Sequence, residues 1–301
     1  MEKRQFGKTD MQVSVLGMGT SEIGFERTDQ AVVNQIFNHA LDNGLNVIDT
    51  AECYVESESL IGEAVSHRRD DYYLFTKCGH AFGVETGLPD WHPDLITQSI
   101  DYSLKRLKTD RLDLIQLHSC GQDILAQGDV VERLQRAREQ GKVRYIGYSG
   151  DGDTARFALE MGVFDSLQTS LNIADQQSIS LLLPYCVDNK IGVIAKRPVA
   201  NVAWRNWPEP PTSGYAKPYF DRLKKLAYPF VGPTLGESVE YALRFTLTQL
   251  GVCTAIVGTS KSHRWDANAR AIEDGPLDGE EISEIFERWR EASEPDWVGL
   301  T

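Results

Sequence analysis

The stretch Leu112-Asp-Leu-Ile-Gln-Leu-His118 is followed by an amphipathic run, Val130–Gln140, and then by Val143-Arg-Tyr-Ile-Gly-Tyr-Ser149. Two β-rich runs separated by one helix-length segment read as a strand–helix–strand unit, and a connection of that length joins parallel strands. The same alternation continues on both sides. Upstream, Val13–Gly17, Asn46–Thr50 and Tyr72–Lys77 read as strands; downstream, Ser166–Thr169, Gly192–Arg197 and Thr254–Gly258 do. Helical spacing fills the gaps. Val32/Val33, Ile36/Phe37 and Ala40/Leu41 recur on one face, with Thr28 placed to cap the start and Gly44 the end. Pro93 stands at a first-turn position ahead of Leu95, Ile96, Ile100, Leu104 and Leu107. Ser57–Val65, Thr154–Met161, Gln177–Val187, Leu235–Leu250 and Ser262–Ile272 complete the set.

Eight strands, each followed by a helix, fit a closed (β/α)8 TIM barrel, whose usual length is about 250 residues. We expect one barrel domain over residues 1–301. Lys3–Gly7 and Met11–Ser14 read as an N-terminal β-hairpin closing the barrel bottom. Residues 199–234 hold Trp204, Trp207 and six prolines, too long for an ordinary connection, and are expected to form a lid after strand seven. Residues 280–292 read as an extra helix carrying Ile282, Ile285, Phe286 and Trp289 on one side.

Composition narrows the function. The chain has 301 residues, 41% hydrophobic and 25% charged, with a net charge of −13. That balance argues against a surface built for nucleic acid or anionic lipid. MEKRQFGKTD carries no apolar run behind its charges, and no stretch approaches the roughly 20 residues of a membrane span. The five cysteines are scattered without a C-x-x-C, which fits reduced thiols in the cytoplasm.

Two glycine motifs mislead. Gly150-Asp-Gly-Asp-Thr-Ala155 has the G-x-G-x-x-A form of a dinucleotide fingerprint, but Asp151 and Asp153 would face a pyrophosphate. Gly17-Met-Gly-Thr20 lacks the third glycine, since Glu22 takes its place. Tight loops of a barrel explain both.

In such a barrel, chemistry is built at the C-terminal strand ends. Those ends carry Asp49, Lys77 and His118, with Tyr54 in the loop after Asp49. Taken singly, a rim Lys–Asp pair or a strand-end His is ordinarily structural. Together they form a set suited to a carbonyl reaction. A tyrosine hydroxyl near pKa 10 exchanges protons poorly at neutrality. A neighbouring lysine ammonium lowers that pKa, while Asp49 keeps the lysine charged and His118 donates to the substrate oxygen. The set moves a proton but offers no hydride, so a cofactor must supply one.

The chain resembles the aldo-keto reductase superfamily nearly end to end. The resemblance rests on Leu16-Gly-Met-Gly-Thr20, Asp49-Thr-Ala-Glu-Cys-Tyr54, Ser59-Leu-Ile-Gly-Glu63, Thr76-Lys-Cys78, Leu112-Asp-Leu-Ile-Gln-Leu-His118 and Val143-Arg-Tyr-Ile-Gly147. It implies a catalytic tetrad of Tyr54 (general acid/base), Lys77, Asp49 and His118, with NADPH across the barrel mouth. It implies cofactor contacts from Gly19, Thr20, Asp49, Ser149, Gln168, Lys196, Arg197, Asn201, Thr259, Arg264 and Asn268. The loop after strand eight, Thr259-Ser-Lys-Ser-His-Arg264, opens a helix whose N-terminus favours an anion, and Arg264 offers a fork for the 2′-phosphate. Three departures stand out. Ser149-Gly150 replaces the usual Ser-Asn; Lys196 stands where many members stack an aromatic ring; Gly258 stands where many carry a lysine.

Trp91, Trp204 and Trp207 are candidate walls of the substrate pocket. Cys53, Cys78 and Cys120 lie near tetrad members, but no short ligand pair anchors a zinc site, and no metal is assigned. The expected function is reduction of a small-molecule aldehyde or ketone, or the reverse oxidation. Two alternatives are a non-catalytic nicotinamide-binding subunit that senses redox state and a Schiff-base lyase acting through Lys77.

Overall fold

β-Branched and aliphatic residues dominate the strand segments, and they pair in parallel because a helix-length connection separates each from the next. The computed structural model describes residues 1–300 apart from 83, 85, 213, 215 and 233. Two short strands come first, β1 (Lys3–Gln5) and β2 (Gln12–Ser14), antiparallel with Arg4 opposite Val13. Eight parallel strands follow: β3 (Leu16–Gly19), β4 (Val47–Asp49), β5 (Tyr73–Cys78), β6 (Leu112–His118), β7 (Val143–Ser149), β8 (Ser166–Ser170), β9 (Gly192–Lys196) and β10 (Val252–Gly258). They pair in chain order and close where β10 pairs with β3, giving a (β/α)8 barrel. No helix among the described residues is long and apolar enough to cross a membrane.

The barrel has two apolar layers. Outside, Val33, Ile36 and Phe37 of the helix Gln30–Asp42 and Ile96 and Ile100 of the helix Pro93–Arg106 pack on Ile48, Leu74, Ile115 and Ile146. Inside, Phe6, Met11 and Val13 of the hairpin meet Val47, Phe75, Leu114 and Ile194, with the Phe6 and Phe75 rings 5.5 Å apart. This plug seals the N-terminal end and leaves the C-terminal end open for polar groups. Gly7 makes the plug's turn at φ +55°, where a Cβ would fall 2.4 Å from the Gly192 amide nitrogen.

The structure corrects four local expectations. Val13–Gly17 is not one strand: Gln12–Ser14 pairs in the hairpin, and the barrel strand begins at Leu16. Asn46 sits at the break, its side-chain oxygen accepting from the Ser14 amide at 2.6 Å. Asp29, not Thr28, caps the helix Gln30–Asp42, accepting from the Ala31 amide at 2.8 Å. The Gln177–Val187 helix is broken into Gln177–Leu181 and Leu183–Asp188, because Pro184 has no N–H to continue the ladder. The stretch expected as a lid is docked rather than free. Its helix Lys217–Leu226 buries Tyr219, Phe220 and Leu223, and Lys225 pairs with Glu294 beyond the helix Gly279–Ala292. Residues 213, 215 and 233 of that stretch lie outside the described residues.

Candidate active site

Asp49 and Lys77 end adjacent strands, and the parallel register carries both to the open end of the barrel. Lys77 Nζ lies 2.5 Å from Asp49 Oδ1 and 2.8 Å from the Thr50 carbonyl. Both side chains are buried, and burial opposes ionisation of each partner. At this separation the Asp49 charge outweighs that cost for Lys77, so the ammonium stays protonated and its pKa stands above the ordinary lysine value. The other carboxylate oxygen accepts from Gln168 Nε2 at 3.0 Å and Gln116 Nε2 at 3.4 Å, and Ser149 Oγ donates to Gln168 Oε1 at 3.0 Å. Four strands thus contribute to one buried polar chain, Ser149–Gln168–Asp49–Lys77.

Tyr54 follows a tight turn after β4, its amide bonded to the Ala51 carbonyl at 3.1 Å. Lys77 Nζ stands 5.1 Å from the centre of its ring. The His118 ring meets the Tyr54 ring edge-on at 5.8 Å. The four expected residues therefore converge. The expected direction of the Tyr54 pKa does not hold: burial raises it to about 12 against the opposing pull of Lys77, so the hydroxyl keeps its proton at neutral pH. Burial, then the charges of Lys77 and His80, push His118 well below the usual histidine value, so its ring is neutral.

Three residues that the strand-end reading overlooked border the same centre. Glu52 is wholly buried between Asp49 and Tyr54 in sequence, and burial pushes its carboxyl up to about 8. Its Oε1 accepts from the His80 amide at 3.0 Å, while Oε2 has no hydrogen-bond partner. The His80 ring lies 5.1 Å from those of both His118 and Trp91. Phe25, 59% exposed, meets the Tyr54 ring at 5.8 Å. Loop residues carry no periodic signal. Only the position of Glu52 inside the Asp49–Tyr54 segment, and of His80 three residues after Lys77, marked two of them.

The tryptophans separate. Trp91 stands beside this centre through His80. Trp204 is 1% exposed in the core, so it is no surface of an open pocket. Trp207 packs on Phe220 at 5.3 Å.

Around the rim, Gly19 pairs with Asp49 and Gly258, and Thr20 Oγ1 donates to the Asp49 carbonyl at 2.9 Å. The Lys196 side chain is anchored at its end, with its Nζ 2.8 Å from Asp151 Oδ2. Asp151 also accepts from Thr169 Oγ1 at 2.8 Å and the Ser170 amide at 2.6 Å, so the glycine-rich Gly150–Ala155 segment serves strand-end packing. Gly150 abuts Tyr148; a Cβ there would lie 2.6 Å from Tyr148 Cε1, which leaves no room for an asparagine. Arg197 donates to the Leu300 carbonyl, which also accepts from Ser170 Oγ at 2.8 Å. Arg197, Ala200, Asn201 and Val202 all hold φ between +45° and +57°, a concentration of left-handed residues typical of ligand loops.

After β10, Thr259 Oγ1 accepts from the Lys261 amide at 3.0 Å and fixes the turn into the helix Ser262–Arg270. Arg264 and Asn268 lie on that helix, half-buried. Among the described residues Arg264 forms no ion pair. A Cβ at Gly258 would fall 1.9 Å from Glu22 Oε2, so a side chain there requires the exposed end of Glu22 to move aside. A cavity of about 520 Å³ lined by Met1, Arg4, Arg244 and Trp265 shares no residue with the tetrad.

With this geometry in hand, comparison with known proteins is consistent. A family model described as the aldo/keto reductase family matches residues 15–290. The chain is 29% identical over 301 residues to the uncharacterized oxidoreductase YqkF of Bacillus subtilis, covering 95% of each. It is 28% identical over 304 residues to the L-galactose dehydrogenase of Arabidopsis thaliana, covering 95% of this chain and 93% of that one. The holo structure of aldo-keto reductase AKR11C1 from Bacillus halodurans superposes with a TM-score of 0.84 at 30% identity, over 99% of both chains.

Proposed function

Because the chain belongs to the aldo/keto reductase family and is an NAD(P)-dependent oxidoreductase, we propose that it reduces an aldehyde or ketone with NADPH, or runs the reverse oxidation, with Tyr54 delivering the proton. The observation that carries this is the buried Lys77–Asp49 pair set beneath Tyr54 with His118 alongside.

Each residue's part follows from its state. The Tyr54 hydroxyl is protonated and gives its proton to the alkoxide oxygen. Lys77, held charged by Asp49, stabilises the tyrosinate left behind. Cys53 Sγ lies 3.4 Å from His118 Nδ1, and burial pushes the thiol up to about 12, so it stays protonated with an S–H available to that nitrogen. In this reading Nδ1 accepts from the thiol and the neutral ring carries its own proton on Nε2, the nitrogen assigned to the substrate oxygen. When bound, the nicotinamide cofactor supplies the hydride.

The chain offers groups that fit such a cofactor at two places. Ser149 and Gln168 present a buried amide and hydroxyl beside Asp49, suited to a carboxamide. Arg264, without an ion-pair partner among the described residues, and Asn268 suit a 2′-phosphate and an adenine beside the Thr259 turn. We assign Gly19, Thr20, Arg197 and Asn201 to the rim between them, and Phe25 and Trp91 to the substrate side. The five unpaired cysteines support a reducing, cytoplasmic setting.

Lys77 speaks against Schiff-base chemistry, since a nucleophilic amine must lose the proton that Asp49 holds on it. Turnover of a generic aldehyde, followed by cofactor absorbance with NADPH and with NADH, tests the reading. Oxidation of NADPH is expected. Absence of turnover with cofactor bound would instead support a sensing subunit, and borohydride trapping of substrate on Lys77 would support the lyase.

A further inference from the structure

Glu52, Cys53 and His118 each offer a ligand atom, and these three atoms lie within 4.8 Å of one another. We propose that they form a binding site for a thiophilic divalent cation, zinc fitting best, and that zinc held there shuts off the tetrad; the inhibitory half rests on the reductase reading above.

Three features of the cluster converge. The first is the donor set: one thiol, one imidazole and one carboxylate, the three ligand types zinc takes from proteins. The second is spacing. Zn–S near 2.3 Å and Zn–N near 2.05 Å at a tetrahedral angle place the two donors about 3.5 Å apart. Cys53 Sγ and His118 Nδ1 are 3.4 Å apart. The third is Glu52, wholly buried, whose Oε2 has no hydrogen-bond partner. A buried carboxyl oxygen left without a hydrogen-bond partner costs free energy that a cation would recover. Access is available too, because Cys53 is the only one of the five cysteines that is not buried.

On binding, the metal takes the place of the proton shared between Sγ and Nδ1. The S–H bond and the Glu52 carboxyl O–H bond break, the S–Zn and O–Zn bonds form, and both protons leave to solvent with no change of oxidation state. Closing three donors from a spread of up to 4.8 Å to tetrahedral distances draws the His118 ring toward Glu52 and Cys53 and shifts it from its present edge-on contact with the Tyr54 ring. That displacement opposes carbonyl reduction, and three protein ligands leave a fourth position for water.

Cobalt(II), added to the metal-free full-length protein as a stand-in for zinc, gives a readout independent of turnover. The wild type is expected to develop a near-ultraviolet thiolate-to-cobalt band at one ion per chain, absent in Cys53→Ser. Zinc affinity, measured by competition with a chromophoric chelator, should fall by about 10-fold or more in both Cys53→Ser and Glu52→Gln, since even outer-shell partners cost roughly that much. Zinc inhibition of aldehyde turnover should be reversed by EDTA and should weaken by the same factor in both variants. Zinc bound as tightly by both variants as by wild type, or no thiolate band in wild type, would overturn the site. A band from a protein that turns over no aldehyde would support the site and count only against the reductase reading.

Discussion

Lys77 Nζ stands 2.5 Å from Asp49 Oδ1, with each side chain only 2% exposed. Breaking a buried pair from one side leaves an uncompensated charge, which costs about 3–5 kcal/mol. Lys77→Met and Asp49→Asn should each lose stability of that order in urea unfolding. The double variant should recover most of it, while all three stay inactive. A Lys77→Met protein as stable as wild type would show that the pair is not ionised.

Arg264 should read the cofactor's 2′-phosphate. A charge-assisted contact of this kind is worth roughly 1.5–3 kcal/mol, so Arg264→Ala should lower kcat/KM for NADPH by about 10- to 150-fold and leave NADH nearly unchanged. Equal losses with both cofactors would remove Arg264 from that role.

Glu52 makes stability depend on pH. Its carboxyl is raised from 4.5 to about 8 by burial, so the native state holds a proton that the unfolded chain releases between those values. Stability therefore falls as pH rises through that window. Glu52→Gln should match wild type near pH 5 and exceed it near pH 8, by an amount on the order of a few kcal/mol in chemical unfolding. A constant difference across the range would refute the burial effect.

Gly150 should not accept the asparagine that the family resemblance leads one to expect there. Tyr148 fills that space and donates its hydroxyl to the Cys120 carbonyl at 2.7 Å. Gly150→Asn should lower stability by about 1–3 kcal/mol in thermal or urea melts, the cost of overpacking. A neutral effect would mean that the ring moves aside freely.

Much of this was legible in the chain itself. The βα alternation marked the barrel, and the polar residues Asp49, Lys77 and His118 at otherwise apolar strand ends marked the centre. What was not legible depended on distant partners. The Lys196–Asp151 pair joins residues 45 positions apart and forms only when β9 closes beside β8, and Trp204 reads as a pocket wall until its loop packs it into the core. The direction of the Tyr54 pKa was missed because sequence shows the charge of Lys77 but not the burial that outweighs it. Thr28 and Asp29 are both good caps, and only backbone geometry at the helix start chose Asp29.

The central claim is that Tyr54 supplies the proton, and Tyr54→Phe tests it most directly, because it deletes the hydroxyl and keeps the ring that meets His118 and Phe25. Steady-state aldehyde reduction should fall by roughly 100- to 10,000-fold, the span of a positioned general acid, while NADPH affinity from fluorescence titration stays within about a few-fold of wild type. Turnover at the wild-type rate in Tyr54→Phe would contradict the account.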